Sequence, residues 1–156
     1  MTIRAGIVGL GRWAQVLINS IHGTSEAIAI TAGCTGRKEK ARQYCYENNI
    51  DLRNNLNDLI NDSTLDSIII ATPHEQHAEQ IIASAEAGKN VFVEKPFTMT
   101  KKSAQKALDA CAAANVVCAL GHNRRFLPNM IRLREMIAAD EFGEILHVEA
   151  NISSPG

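Results

Sequence analysis

Gly9-Leu10-Gly11-Arg12-Trp13-Ala14 fits G-x-G-x-x-G/A, between an apolar run and a helical pattern. In that context the first glycine permits a tight turn, the second lets a pyrophosphate approach the backbone, and Ala14 allows close helix–strand packing. The anion would rest on free N–H groups at the helix N-terminus. These residues, with Arg12 and Trp13 between them, are expected to hold a dinucleotide; a purely structural glycine turn is the alternative. A carboxylate for the adenosine ribose is expected about 20 residues further on. That place holds Cys34-Thr35-Gly36-Arg37, and no carboxylate occurs before Glu39. Thr35, Arg37 and Lys38 suit a 2′-phosphate by hydrogen bond and charge, with Gly36 in the same turn, which favours NADP over NAD. A polar, solvated start to the second helix would also account for them.

Three further segments end apolar runs. In ATPHEQH, Ala71 closes a strand, and Thr72 to Glu75 reads as a T-x-x-E capping box with Pro73 at the first helical position. The same loop would lie at the carboxyl end of a parallel sheet, where ligands bind, so Thr72, Pro73 and His77 are candidates for a polar contact with cofactor or substrate. His74 and His77 stand three apart, and no zinc motif is completed, so no metal is expected. In VFVEKPFT, Pro96 pushes Lys95 toward extended geometry and fixes Glu94 and Lys95 at a strand end. An ordinary turn carrying two surface charges is the plainer reading of that stretch. GHNRRF closes the last strand, with Asn123 and Arg124 beside the same crevice and Arg125 on the surface.

The elements that must position these residues alternate regularly. IRAGIVG, AIAITAG, SIIIA, NVFVE and VVCAL read as buried strands, of the continuous apolar kind found in parallel sheets. Helical faces recur at Ala14, Leu17, Ile18 and Ile21, at Ala78, Ile81, Ile82 and Ala85, and at Ala104, Ala107, Leu108 and Cys111. Strand and helix in alternation predict an α/β doubly wound parallel sheet, a Rossmann domain, over residues 1–122. Residues 123–156 then read as the opening of a truncated second α+β domain. A helix is expected over Phe126–Ala138 with Met130, Leu133 and Ile137 facing inward. The following segment, FGEILHVEANI, alternates as a strand with Leu146, Val148, Ala150 and Ile152 on one face. Such a strand needs a partner, so self-association through it, or its disorder, is expected.

Composition narrows the classes. With 46% hydrophobic and 21% charged residues, the 156-residue chain can build one full core. A net charge of −1 gives no field favouring nucleic acid or an anionic membrane, and 4% aromatics leave little for base stacking. Cys34, Cys45, Cys111 and Cys118 form no C-x-x-C pair and suit reduced thiols in a cytoplasmic protein. Arg4 and Arg12 interrupt the N-terminal apolar run, so neither a signal peptide nor a membrane span is expected.

GIVGLGRWA, ATPHEQH, VEKPFT and NRRFLP together resemble the N-terminal half of the Gfo/Idh/MocA oxidoreductase family over essentially the whole chain. The resemblance implies an NAD(P)-binding domain followed by an open β-sheet domain that supplies much of the substrate pocket. It implies that Glu94-Lys95-Pro96 sits at the nicotinamide end, with Lys95 on the substrate's reacting hydroxyl or carbonyl as the catalytic group and its ammonium held inward. Ala71, Thr72, Pro73 and His77 would line the nicotinamide ribose. The implied activity is hydride transfer between nicotinamide and a sugar, cyclitol or dihydrodiol-like substrate. In the family a histidine of the second domain completes proton transfer, and His147, lying within the predicted strand, is not that residue. A non-catalytic NADP(H)-binding or sensing protein is the alternative, and a CoA-binding Rossmann domain a third reading that leaves Glu94-Lys95-Pro96 without a use.

Overall fold

The computed structural model describes residues 2–151 and contains a six-stranded, wholly parallel sheet. In chain order the elements of the first unit are β1 (Ile3–Val8), α1 (Arg12–Ile21), β2 (Ile28–Cys34), α2 (Lys38–Glu47), β3 (Asp51–Leu52), α3 (Leu56–Ile60), β4 (Ser67–Ile70), α4 (His77–Glu86), β5 (Asn90–Val93), α5 (Lys101–Ala113) and β6 (Cys118–Leu120). A short 3₁₀ turn, His74–Gln76, precedes α4. The sheet runs β3-β2-β1-β4-β5-β6, so the order reverses at β1, and β2 and β4 flank it on opposite sides. This is the doubly wound arrangement the alternating pattern predicts, and its reversal leaves a crevice at the carboxyl ends of the strands.

Side chains of successive strand residues leave opposite faces, and the four central strands β2, β1, β4 and β5 each feed two cores. Ala5 and Ile7 of β1, Ile30 of β2 and Ile69 of β4 meet Ala14 and Ile18 of α1 and Ala41 and Cys45 of α2. Val8, Ala32, Cys34, Ile68, Ile70, Val91 and Val93 meet Leu59 of α3, Ile81 and Ala85 of α4, and Ala107 and Cys111 of α5. Ile7, Ile18, Ile68, Ile70 and Ile81 are each fully buried, at about 1.5–3 kcal/mol of transfer free energy apiece. Leu108, expected on the inner face of α5, is exposed; Ala107 and Cys111 carry that helix's packing. All four cysteines are free thiols, three buried and Cys118 partly so. Among the described residues no helix is long and apolar enough to cross a membrane.

Residues 122–151 form a separate unit. It contains a 3₁₀ turn, Asn123–Phe126, and α6 (Pro128–Ala138), with Pro128 at the start of the helix, where its missing N–H costs nothing. Two expectations fail here. Met130, Leu133 and Ile137 do not face inward but are exposed, because among the described residues this unit offers no second long helix or strand to receive their stripe. Residues 145–151 form no strand, and Leu146 and Val148 are 86% and 75% exposed. An alternating sequence supplies one face of a sheet; without a neighbouring ladder its backbone groups have no strand to pair with. Ile152, the last residue of the expected apolar face, lies outside the described residues.

Candidate active site

The phosphate turn is built from backbone. Gly9 follows β1 with φ +88°, and its N–H donates to the carbonyl of Cys34 at 2.9 Å. A Cβ at Gly9 would stand 2.5 Å from the Ala71 carbonyl oxygen and 3.1 Å from the Thr72 nitrogen, so two strand-end loops touch through the absence of a side chain. Ala71 in turn donates its N–H to the Val8 carbonyl at 2.9 Å. Gly11, the residue before α1, is extended and has nothing within 4 Å of where a Cβ would point. No side chain caps α1, so the N–H groups of its first turn are left for an external acceptor. Ala14 is buried against the core, while Arg12 and Trp13 are exposed.

An open hollow of about 550 Å³ lies over this turn, lined by Gly9 to Trp13, Thr35, Arg37, Lys40 and Ala71 to Pro73. A second of about 410 Å³ adjoins it between the ends of β2 and β4, lined in part by Thr35 to Arg37, Asn54, Leu56, Gln76 and Gln80. Their rim is basic. Among the described residues the Arg37 guanidinium makes no ion pair, whereas Lys38 donates its ammonium to the Asn54 side-chain carbonyl. Glu39 is turned to Arg42, at 2.9 Å. Beneath Thr35, burial pushes the Cys34 thiol up to about 11, with the Asp58 carboxylate adding and the Lys38 ammonium opposing, so this sulfur is a neutral packing group. The open backbone at Gly11, the uncapped helix end and the free guanidinium fit a dinucleotide's pyrophosphate and adenosine half.

The ends of β4 and β5 are built from buried side chains instead. Thr72 does not cap a helix: its hydroxyl donates to the Gln80 side-chain carbonyl at 2.6 Å, Pro73 stays outside the turn that follows, and α4 begins only at His77. His77 is fully buried, with Nδ1 2.8 Å from the Pro96 carbonyl oxygen and Nε2 3.1 Å from that of Thr72. His74 is exposed and meets His77 edge-on, ring centroids 5.7 Å apart. Glu94, 7% exposed, accepts the Lys95 N–H at 3.2 Å and packs over Gly121, where a Cβ would stand 2.8 Å from its carboxylate oxygen. The Lys95–Pro96 peptide is cis, and Lys95 is exposed, where the resemblance implies an ammonium held inward. Among the described residues no three His, Cys, Asp or Glu side chains are grouped to hold a metal ion.

Residues 3–122 match the GFO_IDH_MocA oxidoreductase family, described by its NAD-binding Rossmann fold. The chain belongs to this family. It is 31% identical over 150 residues to the scyllo-inositol 2-dehydrogenase (NAD(+)) of Bacillus subtilis, covering 93% of this chain and 43% of that protein. It is 35% identical over 96 residues to the D-xylose 1-dehydrogenase (NADP(+)) of Hypocrea jecorina, covering 62% of this chain and 25% of that enzyme. In fold it matches the scyllo-inositol dehydrogenase of Lactobacillus casei, solved with NAD(H) and scyllo-inositol, at a TM-score of 0.86 and 24% identity, over 92% of this chain and 43% of that one. The chain thus spans less than half the length of these relatives.

In this family member the structure brings Gly9, Gly11, Arg12, Trp13, Thr35, Gly36, Arg37, Ala71, Thr72 and Pro73 around adjoining hollows at one end of the sheet. Glu94 and Lys95 follow β5 at the same end. Asn123 and Arg124 belong to the other unit, exposed in its 3₁₀ turn. Asn54, Gln80 and Gly121 are supporting residues that sequence reasoning missed. Asn54 and Gln80 belong to no motif, and Gly121 opens GHNRRF without a role of its own there; each is recognised by its neighbour in the fold.

Proposed function

We propose that this chain is the cofactor-binding part of a dehydrogenase that moves a hydride between NADP or NAD and a carbinol carbon of a sugar or cyclitol. The observation that carries the reading is the placement of the Gly9–Ala14 turn and Lys95 at the same end of one sheet, after β1 and β5. The relatives that oxidise scyllo-inositol and D-xylose support the substrate class.

When bound, the nicotinamide supplies the hydride acceptor or donor. The protein's own residues bind and orient. The α1 N-terminus and Gly11 receive the pyrophosphate, and Thr35, Gly36 and Arg37 receive the adenosine ribose and its 2′-phosphate, which gives NADP the preference. Ala71, Thr72 and Pro73 form the wall toward the nicotinamide ribose. Lys95 hydrogen-bonds the reacting oxygen and handles the proton that the alcohol loses as its carbon gives up hydride. Residues from 123 onward open a second domain that contributes to the substrate pocket, with Asn123 and Arg124 at its start.

A fluorescence titration tests the reading, because Trp13 is exposed beside the phosphate turn. Saturable binding of NADPH, tighter than NADH, is expected, and CoA should not compete. Binding of CoA alone would overturn it.

A further inference from the structure

We propose that His77 is a positioning residue that locks the Thr72 loop and the Lys95 loop to each other, and so fixes the nicotinamide side of the site. This rests on the reading above that both loops face that half of the cofactor. His77 opens α4, and Ile81, Ser84 and Ala85 of that helix are fully buried, so the ring projects from an anchored support. Each ring nitrogen faces a backbone carbonyl, Pro96 at 2.8 Å and Thr72 at 3.1 Å. A carbonyl oxygen only accepts, so the ring nitrogen that carries the N–H donates to the carbonyl it faces, and the tautomer selects whether that is Pro96 or Thr72. Neither Thr72 nor Pro96 lies in a strand or helix whose own ladder would hold it. Gln80, three residues along α4, accepts the Thr72 hydroxyl at 2.6 Å, so the start of this helix grips Thr72 at two points.

The lock also has a far end. Thr72 and Ala71 abut Gly9 in the phosphate turn. A continuous path of contacts therefore runs from Gly9 through Thr72 and His77 to Pro96, beside Lys95. The phosphate turn offers its own backbone to an anion, whereas the Lys95 loop is placed by side chains, the imidazole at Pro96 and the Glu94 carboxylate at the Lys95 N–H. His77 then acts on how the nicotinamide half and Lys95 are presented, without touching the ligand itself.

The test compares wild type, His77→Ala, His77→Asn and His77→Gln against NADPH and adenosine 2′,5′-bisphosphate, with NADH and ADP in parallel. An Asn amide nitrogen falls near the place of Nδ1 and can donate to the Pro96 carbonyl; a Gln amide nitrogen falls near Nε2 and can donate to the Thr72 carbonyl. His77→Ala is expected to weaken the whole dinucleotide about tenfold while leaving its adenosine half within about twofold, the two amide variants falling between. Equal losses on the whole and the half cofactor, or no loss on either, would overturn the lock while leaving the cofactor reading intact. Wild-type protein that binds neither would instead overturn the cofactor reading, and the inference with it. Should His77→Ala not fold, the Asn and Gln variants carry the same comparison. In ligand-free protein their amide shifts should change at Thr72, Lys95 and Phe97 but not at Gly11 to Ala14; changes spread over the whole sheet would also overturn the lock.

Discussion

The turn after β1 and the turn after β5 stand at one end of the same sheet and are built in opposite ways. The first is made of backbone: Gly9 lies against the Ala71 carbonyl, Gly11 opens onto empty space, and α1 carries no side-chain cap. The second is made of buried polar side chains: Glu94 lies over Gly121, and His77 lies between the Thr72 and Pro96 carbonyls. A backbone cradle suits a group common to every dinucleotide. A turn held by interlocked side chains suits one orientation of one reacting oxygen. The difference teaches that removal of space should damage the first region and loss of a partner the second.

The largest effect is expected at Gly9. An added methyl meets the Ala71 carbonyl at 2.5 Å on a backbone with φ +88°, so Gly9→Ala should cost about 2–4 kcal/mol in chemical denaturation and abolish NADPH binding. Gly11→Ala sharpens the point, for it meets nothing within 4 Å; stability should stay within about 0.5 kcal/mol while NADPH binding weakens. Next comes Arg37→Ala, which removes an unpaired guanidinium. It should weaken NADPH about tenfold to a hundredfold in the same titration and leave NADH within about twofold.

A smaller effect is expected at Gly121. A methyl there must displace the Glu94 carboxylate at 2.8 Å, costing about 1–2 kcal/mol of stability, while affinity for adenosine 2′,5′-bisphosphate stays unchanged. Equal loss of that affinity would erase the contrast between the two turns. The smallest concerns the thiols. Burial raises Cys34 to about 11 and Cys118 to about 12, the second helped by Cys111 beside it. Both pKa values are raised, so the unfolded chain releases these protons first. Their contribution is complete below the unfolded value near 9 and fades as pH rises toward 11–12. Unfolding followed against pH should show that decline, and Cys34→Ala should flatten its first part.

What could be read from the sequence was whatever depends on local pattern. Five of the strands and the three helical faces at Ala14, Ile81 and Ala107 follow from apolar periodicity, and the glycine turn follows from residue type and spacing. β3 and α3 carry too few residues, two and five, to show a period. Capping was misassigned because hydroxyls have choices: Thr72 turns to Gln80, while the reciprocal box forms at Thr100 and Ser103, where serine replaces the expected Glu or Gln. His77 reads in the sequence as a candidate for a polar contact with cofactor or substrate, whereas its buried contact is with Pro96, 19 residues away, which no local spacing encodes. The segment from 145 shows the converse: its alternation describes which side chains share a face, not whether a neighbouring strand exists to pair with it.

The most direct test of the central claim is an amide chemical-shift map recorded as NADPH is added to the protein. The account predicts saturable shifts at Gly11 to Ala14, at Thr35 to Arg37, at Thr72, and at Lys95 and Phe97, all with one dissociation constant. Shifts confined to the Gly11 and Arg37 regions, with Lys95 and Phe97 unmoved at saturation, would contradict the claim that one dinucleotide site joins the two turns.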